Sequence, residues 1–300
     1  MIFPWFERTF ASLTGRLLAQ RLHHALLLAG PPEIGKFQLA DALAQVILCQ
    51  QPASVGSCGH CQSCKLFAAG SHPDFHMLES DKQLGVDKIR EGIARLSGTA
   101  QLSRNKVLVI PAAHTMTDSA ANALLKTLEE PTDNTFLLLL TEKPQQLLPT
   151  ILSRCEKCTL PVPGEAESLN WLKAEGVEDA SGALLQAYGG SPLAVRRALS
   201  EEDTALSYRG FQDGIQALLS GAETSLALAS RWQDAAPQVV TWCQQQAHRR
   251  YISTQQVQDF EMFSLCQHAA KRLQHPGINK VVVLCQVLEL LQRPAPDPHP

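Results

Sequence analysis

The sequence predicts a doubly wound α/β domain followed by two smaller helical regions. Three observations predict this class. Short apolar runs alternate with helical patterns between residues 24 and 141, a glycine-rich loop separates the first apolar run from the first helical pattern, and the apolar spacing is helical from residue 165 onward. Alternating strands and helices of this kind build a parallel sheet with helices on both faces.

Length and composition limit the classes of protein that this chain can represent. Its 300 residues exceed an average domain, so we expect two or three domains. With 45% apolar residues the chain can bury ordinary cores, and its net charge of −3 argues against tight binding to DNA by the chain alone. The first residues lack a signal-peptide pattern, and the longest apolar run, 136–140, is too short to span a membrane. We therefore expect a cytoplasmic protein that does not contact a membrane.

Four apolar runs in the first half predict strands, and three amphipathic patterns predict helices between them. The strands are expected at residues 24–29, 72–78, 106–110 and 135–141, and the helices at 37–48, 86–96 and 117–131. Thr117 or Asp118 can cap the last of these helices, and Pro131 ends it. The fourth run is almost wholly apolar, which predicts a strand in the middle of the sheet.

The first predicted strand leads into the loop Gly30-Pro31-Pro32-Glu33-Ile34-Gly35-Lys36-Phe37, which has the outline of a phosphate-binding loop. In such loops backbone N–H groups surround the phosphates, the Lys reaches the outer phosphates, and a following Ser or Thr binds Mg²⁺. Gly30, Gly35 and Lys36 match this pattern between a strand and a helix; a simple turn is the alternative interpretation. Phe37 departs from it, because a phenyl ring cannot bind a cation that requires oxygen ligands.

The end of the third predicted strand departs from ATPase chemistry in a second way. Active enzymes of this type have an Asp there that holds Mg²⁺ and a Glu that polarises the attacking water. This chain has Pro111, Ala112, Ala113 and His114 at that place. Since the two departures are independent and remove the same function, we expect no ATP hydrolysis by this chain.

Four cysteines that follow the loop predict a metal site. Cys58, Cys61 and Cys64 have the spacing C-x₂-C-x₂-C, and Cys49 ends the preceding predicted helix. Four thiolates can hold a structural Zn²⁺ ion in a closed tetrahedral site. An iron–sulfur cluster is the chemical alternative, although the fourth Cys of the bacterial ferredoxin pattern is missing. Reduced thiols without a metal are the other alternative.

Two histidines and a second cysteine pair add weaker possibilities. His60 and His72 lie close to the four cysteines in sequence and are reserve ligands. Cys155 and Cys158 form another C-x₂-C pair, but one pair alone is weak support for a redox or metal site. We expect Cys155 to serve packing.

Three further segments extend the pattern of the first half. Residues 122–131 are Asn-Ala-Leu-Leu-Lys-Thr-Leu-Glu-Glu-Pro, residues 136–141 are Phe-Leu-Leu-Leu-Leu-Thr, and residues 148–155 are Leu-Pro-Thr-Ile-Leu-Ser-Arg-Cys. Together with the loop they closely resemble the clamp-loader subunits of the AAA+ family, whose hallmark is the Ser-Arg-Cys triplet. The resemblance is strong over the first 165 residues and weaker beyond them. Within that group the chain resembles a subunit of bacterial DNA polymerase III that has lost its ATPase chemistry. The features that carry this resemblance are the altered loop, the missing acidic pair and the four cysteines.

The resemblance implies a function in DNA replication. Clamp loaders are pentameric ATPases that open a ring-shaped sliding clamp and place it on primed DNA. Membership implies a hetero-pentamer with gamma/tau ATPase subunits and a delta subunit, contact with the sliding clamp and primed DNA through that complex, and a place in the DNA polymerase III holoenzyme. Arg154, with Ser153 beside it, corresponds to the arginine finger that one subunit points into the ATP site of its neighbour. Thr141 corresponds to a sensor of the γ-phosphate, and Leu193 stands where active relatives carry a sensor arginine.

The domain boundaries combine this resemblance with one linker pattern. Residues 161–164, Pro-Val-Pro-Gly, read as a stiff linker. Residues 1–164 are therefore expected to form the AAA+ α/β domain with its inserted cysteine cluster, residues 165–204 a three-helix lid, and residues 205–300 a helical collar through which subunits assemble. The proline-rich end of the chain is expected to be disordered.

Two other functions remain open from the sequence. A weak intrinsic AAA+ ATPase would use Lys36, and it would be recognised by Mg²⁺-dependent hydrolysis that Lys36→Ala abolishes. A zinc-dependent nucleic-acid-binding module would show steeply salt-dependent affinity for DNA, which the acidic composition disfavours.

Overall fold

The computed structural model describes residues 2–80, 82–102, 104–200, 206–275 and 277–292. The chain divides into two compact units, residues 1–167 and residues 168–300. Each unit has its own core, and each is described by itself.

The first unit is built on a five-stranded parallel sheet with the strand order β2-β3-β4-β1-β5. Its strands are β1 (Ala25–Ala29), β2 (Phe75–Met77), β3 (Lys106–Ile110), β4 (Thr135–Thr141) and β5 (Glu156–Thr159). The strand β4 lies between β3 and β1, which confirms the central position predicted from its apolar composition. The register sets Ala29 beside Thr141, so the carboxyl ends of β1 and β4 lie side by side.

Six helices accompany this sheet in the described part of the first unit. They are α1 (Glu7–Leu18), α2 (Lys36–Leu48), α3 (Gln62–Ala68), α4 (Val86–Leu96), α5 (Asp118–Glu129) and α6 (Pro149–Leu152). Alternate residues of β1 enter two different cores: Leu26 and Leu28 pack with α1 and α2, whereas Leu27 packs with α4 and α5. This alternation follows from the period of a strand, and it makes the predicted two-sided sheet.

Four elements of the first unit were not predicted: α1, α3, α6 and β5. The helix α1 buries only two of its twelve residues, so its apolar signal is weak. The strand β5 forms one edge of the sheet and alternates between half-buried and exposed residues, with two charged residues at its start. The strand β2 is shorter than expected, since only residues 75–77 pair with β3.

The second unit is helical throughout its described residues. Its helices are α7 (Glu165–Ala174, which begins in the first unit), α8 (Gly182–Ala187), α9 (Pro192–Ser200), α10 (Tyr208–Leu219), α11 (Ser225–Arg231), α12 (Ala236–Thr254), α13 (Val257–Arg272) and α14 (Lys280–Leu291). Trp232 and Trp242 are 2% and 1% exposed in the main core, so both serve packing. A small separate cluster joins Leu172, Leu185 and Val195.

The predicted boundary between lid and collar falls in residues 201–205, which lie outside the described residues. The division into lid and collar therefore stays a prediction. The tail expected to be disordered, residues 294–300, also lies outside them. Among the described residues, no helix combines the length and the apolar character that a membrane span requires.

Candidate functional site

The predicted loop is formed between β1 and α2, and two of its glycines are required by the geometry. Gly35 directly precedes α2 with a φ of 92°, a left-handed conformation that other residues rarely adopt. A Cβ atom on Gly30 would lie 2.5 Å from the carbonyl oxygen of Leu160. The strand, loop and helix therefore follow one another in the order of a phosphate-binding loop.

The side chain of Lys36 is turned into its own loop. It is 8% exposed, and its Nζ donates a hydrogen bond to the carbonyl oxygen of Pro31 at 2.5 Å. The same Nζ lies 3.7 Å from Oε1 of Glu142, the residue that follows β4. Burial lowers the pKa of Lys36, and the carboxylate of Glu142 opposes that shift. The ammonium group is thus compensated by groups of this chain.

The N-terminal residues cover the loop on another side. Trp5 donates its indole N–H to the carbonyl oxygen of Ile34 at 2.9 Å, and Phe3 stacks on Trp5 with ring centroids 4.9 Å apart. The ring of Phe3 lies so close to Gly35 that a Cβ atom there would be 2.4 Å from it. Phe37 is 39% exposed at the position where a working loop has its hydroxyl ligand. This half of the loop is consequently lined by aromatic rings.

His114 lies after β3, where active ATPases carry their catalytic carboxylates and this chain has none. It follows β3 in a short 3₁₀ turn, Ala113–Thr115, and its Nδ1 is 3.3 Å from Oγ1 of Thr141. Burial lowers the pKa of His114, and the nearby Glu142 opposes that shift. Thr141 is fully buried at the end of β4, and its hydroxyl also accepts a hydrogen bond from the backbone N–H of Lys143. Its contacts are those of a side chain that fixes the end of a strand.

Arg154 lies two residues beyond α6 on the surface of the first unit. Its Nε donates to Oε1 of Glu129 at 2.6 Å, and its Nη2 forms an ion pair with the same carboxylate. Its Nη1 donates to the carbonyl oxygen of Thr150 at 3.0 Å and to Oγ of Ser153 at 3.3 Å. The side chain of Arg154 is 33% exposed, so the guanidinium group is held by its own chain but is open to solvent.

The four predicted cysteine ligands come together at one place. Cys49 ends α2, Cys61 caps the start of α3, and Cys58 and Cys64 complete the group. Their four sulfur atoms all lie within 4.8 Å of one another. The turn between them depends on Gly59, whose φ is 74°. Such a group of four thiols could hold one metal ion.

Backbone N–H groups point at three of these sulfur atoms. Cys58 and Gln51 donate to Sγ of Cys49, Cys61 donates to Sγ of Cys58, and Cys64 donates to Sγ of Cys61, at 3.3–3.4 Å. Hydrogen bonds of this kind stabilise thiolates, which are the form that binds a metal. Burial raises the pKa of Cys49 and raises that of Cys64 to about 12. At Cys61 burial also favours the neutral thiol, but the hydrogen bonds outweigh it and lower the pKa to about 6. The donor set therefore fits a soft divalent cation such as zinc.

The reserve ligands are occupied elsewhere. His72 is buried between Oγ of Ser63, at 2.8 Å from its Nε2, and the backbone N–H of Asp74, which donates to its Nδ1. His60 is exposed and contacts the carbonyl oxygen of Cys58 at 2.8 Å. Both rings shape the segment around the cysteines, and the described metal-ligand group contains thiols alone.

The second cysteine pair does not form a site. Cys155 is buried in the core beneath α5, as the sequence analysis expected for packing, whereas Cys158 packs with the core on the α1 and α2 side of the sheet. The two thiols belong to opposite faces, because residues three positions apart along a strand point in opposite directions.

Sequence reasoning missed three contributors to these sites: Glu129, Glu142 and Trp5. Glu129 lies within the segment 122–131 and Glu142 directly follows the segment 136–141, but neither segment by itself indicates a partner for its carboxylate. The partner of each is distant in sequence, and only the packing of α5, α6 and β4 places the pairs together. The aromatic residues near the N-terminus were a signal that could have suggested a packed segment.

Comparisons with known proteins find a matching family model and similar sequences. A family model described as "DNA polymerase III, delta subunit" matches residues 6–163. A DNA polymerase III subunit delta' from Pseudomonas aeruginosa is 41% identical over 80% of this chain and 74% of the relative. The subunit of the same name from Escherichia coli K12 is 35% identical over 96% of this chain and 89% of the relative.

A solved structure matches almost the whole chain. It is a DNA polymerase III gamma subunit-related protein from Thermotoga maritima, and the match covers 95% of this chain and 98% of that one. The TM-score is 0.50 and the sequence identity 18%, so the likeness concerns the fold. It confirms the predicted fold, an α/β domain with a parallel sheet followed by helices.

Proposed function

Because the chain belongs to the family of DNA polymerase III delta' subunits, we propose that it is a non-hydrolysing subunit of the bacterial clamp loader. In this role it helps the ATP-dependent loading of a sliding clamp on primed DNA. Its partners are the gamma/tau ATPase subunits and the delta subunit of a hetero-pentamer, and it meets the clamp and the DNA through that complex. It belongs to the polymerase holoenzyme without carrying the polymerase activity.

The state of its own loop supports the absence of hydrolysis. Mg²⁺ lacks both its hydroxyl ligand, since Phe37 stands there, and the carboxylates that should follow β3. Lys36 is directed to Pro31 and Glu142, and Gly35 is covered by the ring of Phe3. A triphosphate at this loop would meet neither a bound metal nor a base for the attacking water.

Arg154 supplies what a neighbouring ATP site lacks. A guanidinium group is always charged and can bind phosphate oxygens through two parallel hydrogen bonds. Arg154 is one-third exposed at the surface of the first unit, and its present partners are a carboxylate, a carbonyl oxygen and the hydroxyl of Ser153. The exposed guanidinium on a chain without catalytic carboxylates is the observation that carries the proposal. It acts in trans, as an arginine finger.

The four cysteines hold a structural Zn²⁺ ion. Four thiolates fill a tetrahedral site and leave no open position for a substrate, so the ion stabilises the segment between α2 and α3. An iron–sulfur cluster, one of the alternatives, would give a coloured protein, and metal analysis distinguishes iron from zinc.

Reconstitution tests the proposed function directly. ATP turnover is measured for the chain alone, for a complex of the ATPase and delta subunits, and for that complex with the chain added, each with primed DNA and clamp. We expect no turnover by the chain alone and a large increase when it joins the complex. A weak intrinsic ATPase, the alternative, would instead give Mg²⁺-dependent turnover alone that Lys36→Ala abolishes.

A further inference from the structure

Lys36 and Glu142 form an ion pair inside the loop that has the shape of a phosphate site. Nζ of Lys36 lies 3.7 Å from Oε1 of Glu142 and donates to the carbonyl oxygen of Pro31 at 2.5 Å. The side chain of Lys36 is 8% exposed, whereas that of Glu142 is 39% exposed. The lysine is thus nearly enclosed, and its carboxylate partner stands at the open side.

The sheet holds this carboxylate in place. The strand β4 pairs with β1 up to Thr141 beside Ala29, and the backbone N–H of Gly30 donates to the carbonyl oxygen of Thr141 at 3.1 Å. The next residue, Glu142, is therefore delivered to the start of the loop by the two central strands.

A polyphosphate would have to compete with this pair. In a working loop the lysine ammonium reaches the outer phosphates, so a carboxylate beside it takes the electrostatic role of that ligand. A bound polyphosphate would place several negative charges next to Glu142, which is unfavourable at this distance in a partly buried site. It would also require Lys36 to leave Pro31. This obstacle concerns the anion and is separate from Phe37, which concerns the metal.

We propose that Glu142 is a built-in anion that closes this loop to nucleotide polyphosphates, and that the loop regains an affinity for them when the carboxylate is removed. Removal would leave the ammonium of Lys36 enclosed with the carbonyl oxygen of Pro31 and the weaker attraction of the Glu33 carboxylate, and an arriving anion would compensate it. Gly35 offers no side-chain cap to α2, so the first N–H groups of that helix remain directed at the loop. The inference rests on the proposed function in one respect, that the natural chain holds no nucleotide here.

The test uses the full chain, with its metal left in place, in a buffer without added Mg²⁺ or chelator. Calorimetric titration with inorganic tripolyphosphate and with ADP is compared for the natural chain, Glu142→Gln and Glu142→Ala. We expect no saturable binding by the natural chain up to about 1 mM, and binding at least about tenfold tighter in both variants, since one unit of like charge has been removed beside the site. Far- and near-ultraviolet circular dichroism confirms that the variants fold.

Two controls define the result. Glu79→Gln removes the same charge from an exposed residue outside the loop, and it should bind no better than the natural chain. The double variant Glu142→Gln/Lys36→Met should lose the gained affinity. The inference is overturned if both Glu142 variants bind within twofold of Glu79→Gln, or if the double variant keeps the gain. Micromolar binding by the natural chain would overturn the inference and its premise together, whereas inert Glu142 variants beside an inert natural chain overturn the inference alone.

Discussion

Glu129 at the end of α5 holds Arg154 beyond the end of α6, through a hydrogen bond of 2.6 Å from Nε and an ion pair from Nη2. Thr150 and Ser153 accept from the remaining nitrogen, Nη1. Most N–H groups of the guanidinium are thus engaged within the chain, so a phosphate that binds through two parallel hydrogen bonds must replace at least one of these partners. In the isolated chain the proposed arginine finger, Arg154, is therefore paired with Glu129.

Arg154→Ala should slow the ATPase of the assembled complex without unfolding this chain. An arginine finger supplied in trans is worth about 10³–10⁵ in rate, so turnover at the neighbouring site should fall by at least about 10³-fold. Turnover per site is measured with saturating ATP and primed DNA, and complex formation is checked by gel filtration. Arg154→Lys keeps the charge but not the paired hydrogen bonds, and it should recover only part of the rate.

The matched control for this variant is Arg90→Ala. Arg90 is an exposed arginine of α4, and its ion-pair partner among the described residues is Asp87, so its loss should leave turnover unchanged. Normal turnover of a complex that contains Arg154→Ala, at normal stoichiometry, would refute the proposed function.

Glu129→Gln should make the finger easier to engage. The pair is exposed on both sides, 33% for Arg154 and 48% for Glu129, so it contributes about 0–1 kcal/mol. Weakening it should raise the turnover of the complex, or its apparent affinity for ATP, by up to about fivefold, and should leave the melting temperature of the isolated chain almost unchanged. A fall of tenfold or more would mean instead that Glu129 positions the guanidinium for its neighbour.

Metal analysis should find about one zinc ion per chain, because four thiols fill one tetrahedral site. Cys61→Ser should lose most of it, since a hydroxyl is a poor zinc ligand and the cap of α3 changes at the same time. We expect faster proteolysis between α2 and α3 and a lower melting temperature in this variant. Plasma emission spectrometry and limited digestion measure these effects.

Cys285→Ser supplies the comparison for the metal site. Cys285 is a partly buried cysteine of α14, outside the group of four thiols, and its replacement should leave the zinc content unchanged. Iron in place of zinc, or equal metal content in Cys61→Ser and the natural chain, would contradict the assignment.

The sequence predicted those features that local patterns encode. The central strand β4 was recognised by its continuous apolar run, and the four cysteines by their spacing, since both signals lie within a few residues. Helical spacing alone does not decide whether Trp232 and Trp242 lie in a core or at an interface, because it shows that a face is buried but not what buries it. The structure places both in the core.

The features that were missed depend on contacts between distant segments. The strand β5 is half exposed and carries Glu156 and Lys157, so it lacks an apolar run. It pairs with β1 because the chain returns to the edge of the sheet after α6. The pairs of Lys36 with Glu142 and of Arg154 with Glu129 join residues that are 106 and 25 positions apart. No periodicity reports such pairs, since they arise from the order of strands and helices in the sheet.

The ion pair between Arg16 and Glu156 should make stability depend on pH. Nη1 and Nη2 of Arg16 each lie 2.5 Å from one carboxylate oxygen and connect α1 to β5. The hydrogen bond from Arg16 lowers the pKa of Glu156 below its ordinary value of 4.5. The contribution is therefore fully present above pH 4.5 and is lost as the pH falls through the lower pKa of the folded state.

Glu156→Gln tests this dependence. At pH 7 it should lower the free energy of unfolding by about 1 kcal/mol or less, because both side chains are one-third exposed and solvent screens the pair. The difference from the natural chain should shrink as the pH falls below 4.5 and the carboxyl group takes up its proton. Urea titrations at pH 7, 5 and 3 measure it. A difference that is independent of pH would show that packing, and not the charge, is responsible.

Two glycine substitutions in helices should have opposite signs. In α10, a Cβ atom on Gly214 would lie 2.4 Å from Cζ2 of the buried Trp232, so Gly214→Ala should overpack the core of the second unit and cost about 1–3 kcal/mol. In α1, nothing lies within 4 Å of the same position on Gly15, so Gly15→Ala should stabilise the first unit by about 0.4–1 kcal/mol through helix propensity and a less flexible unfolded chain.

Each variant is compared with the natural chain by chemical denaturation, with tryptophan fluorescence reporting on the second unit through Trp232 and Trp242. Since both changes add one methyl group to a helical glycine, their difference isolates the effect of the neighbouring ring. Equal effects of the two substitutions would mean that the ring of Trp232 can move away from the added methyl group. Close packing against Trp232 would then not explain why position 214 is a glycine.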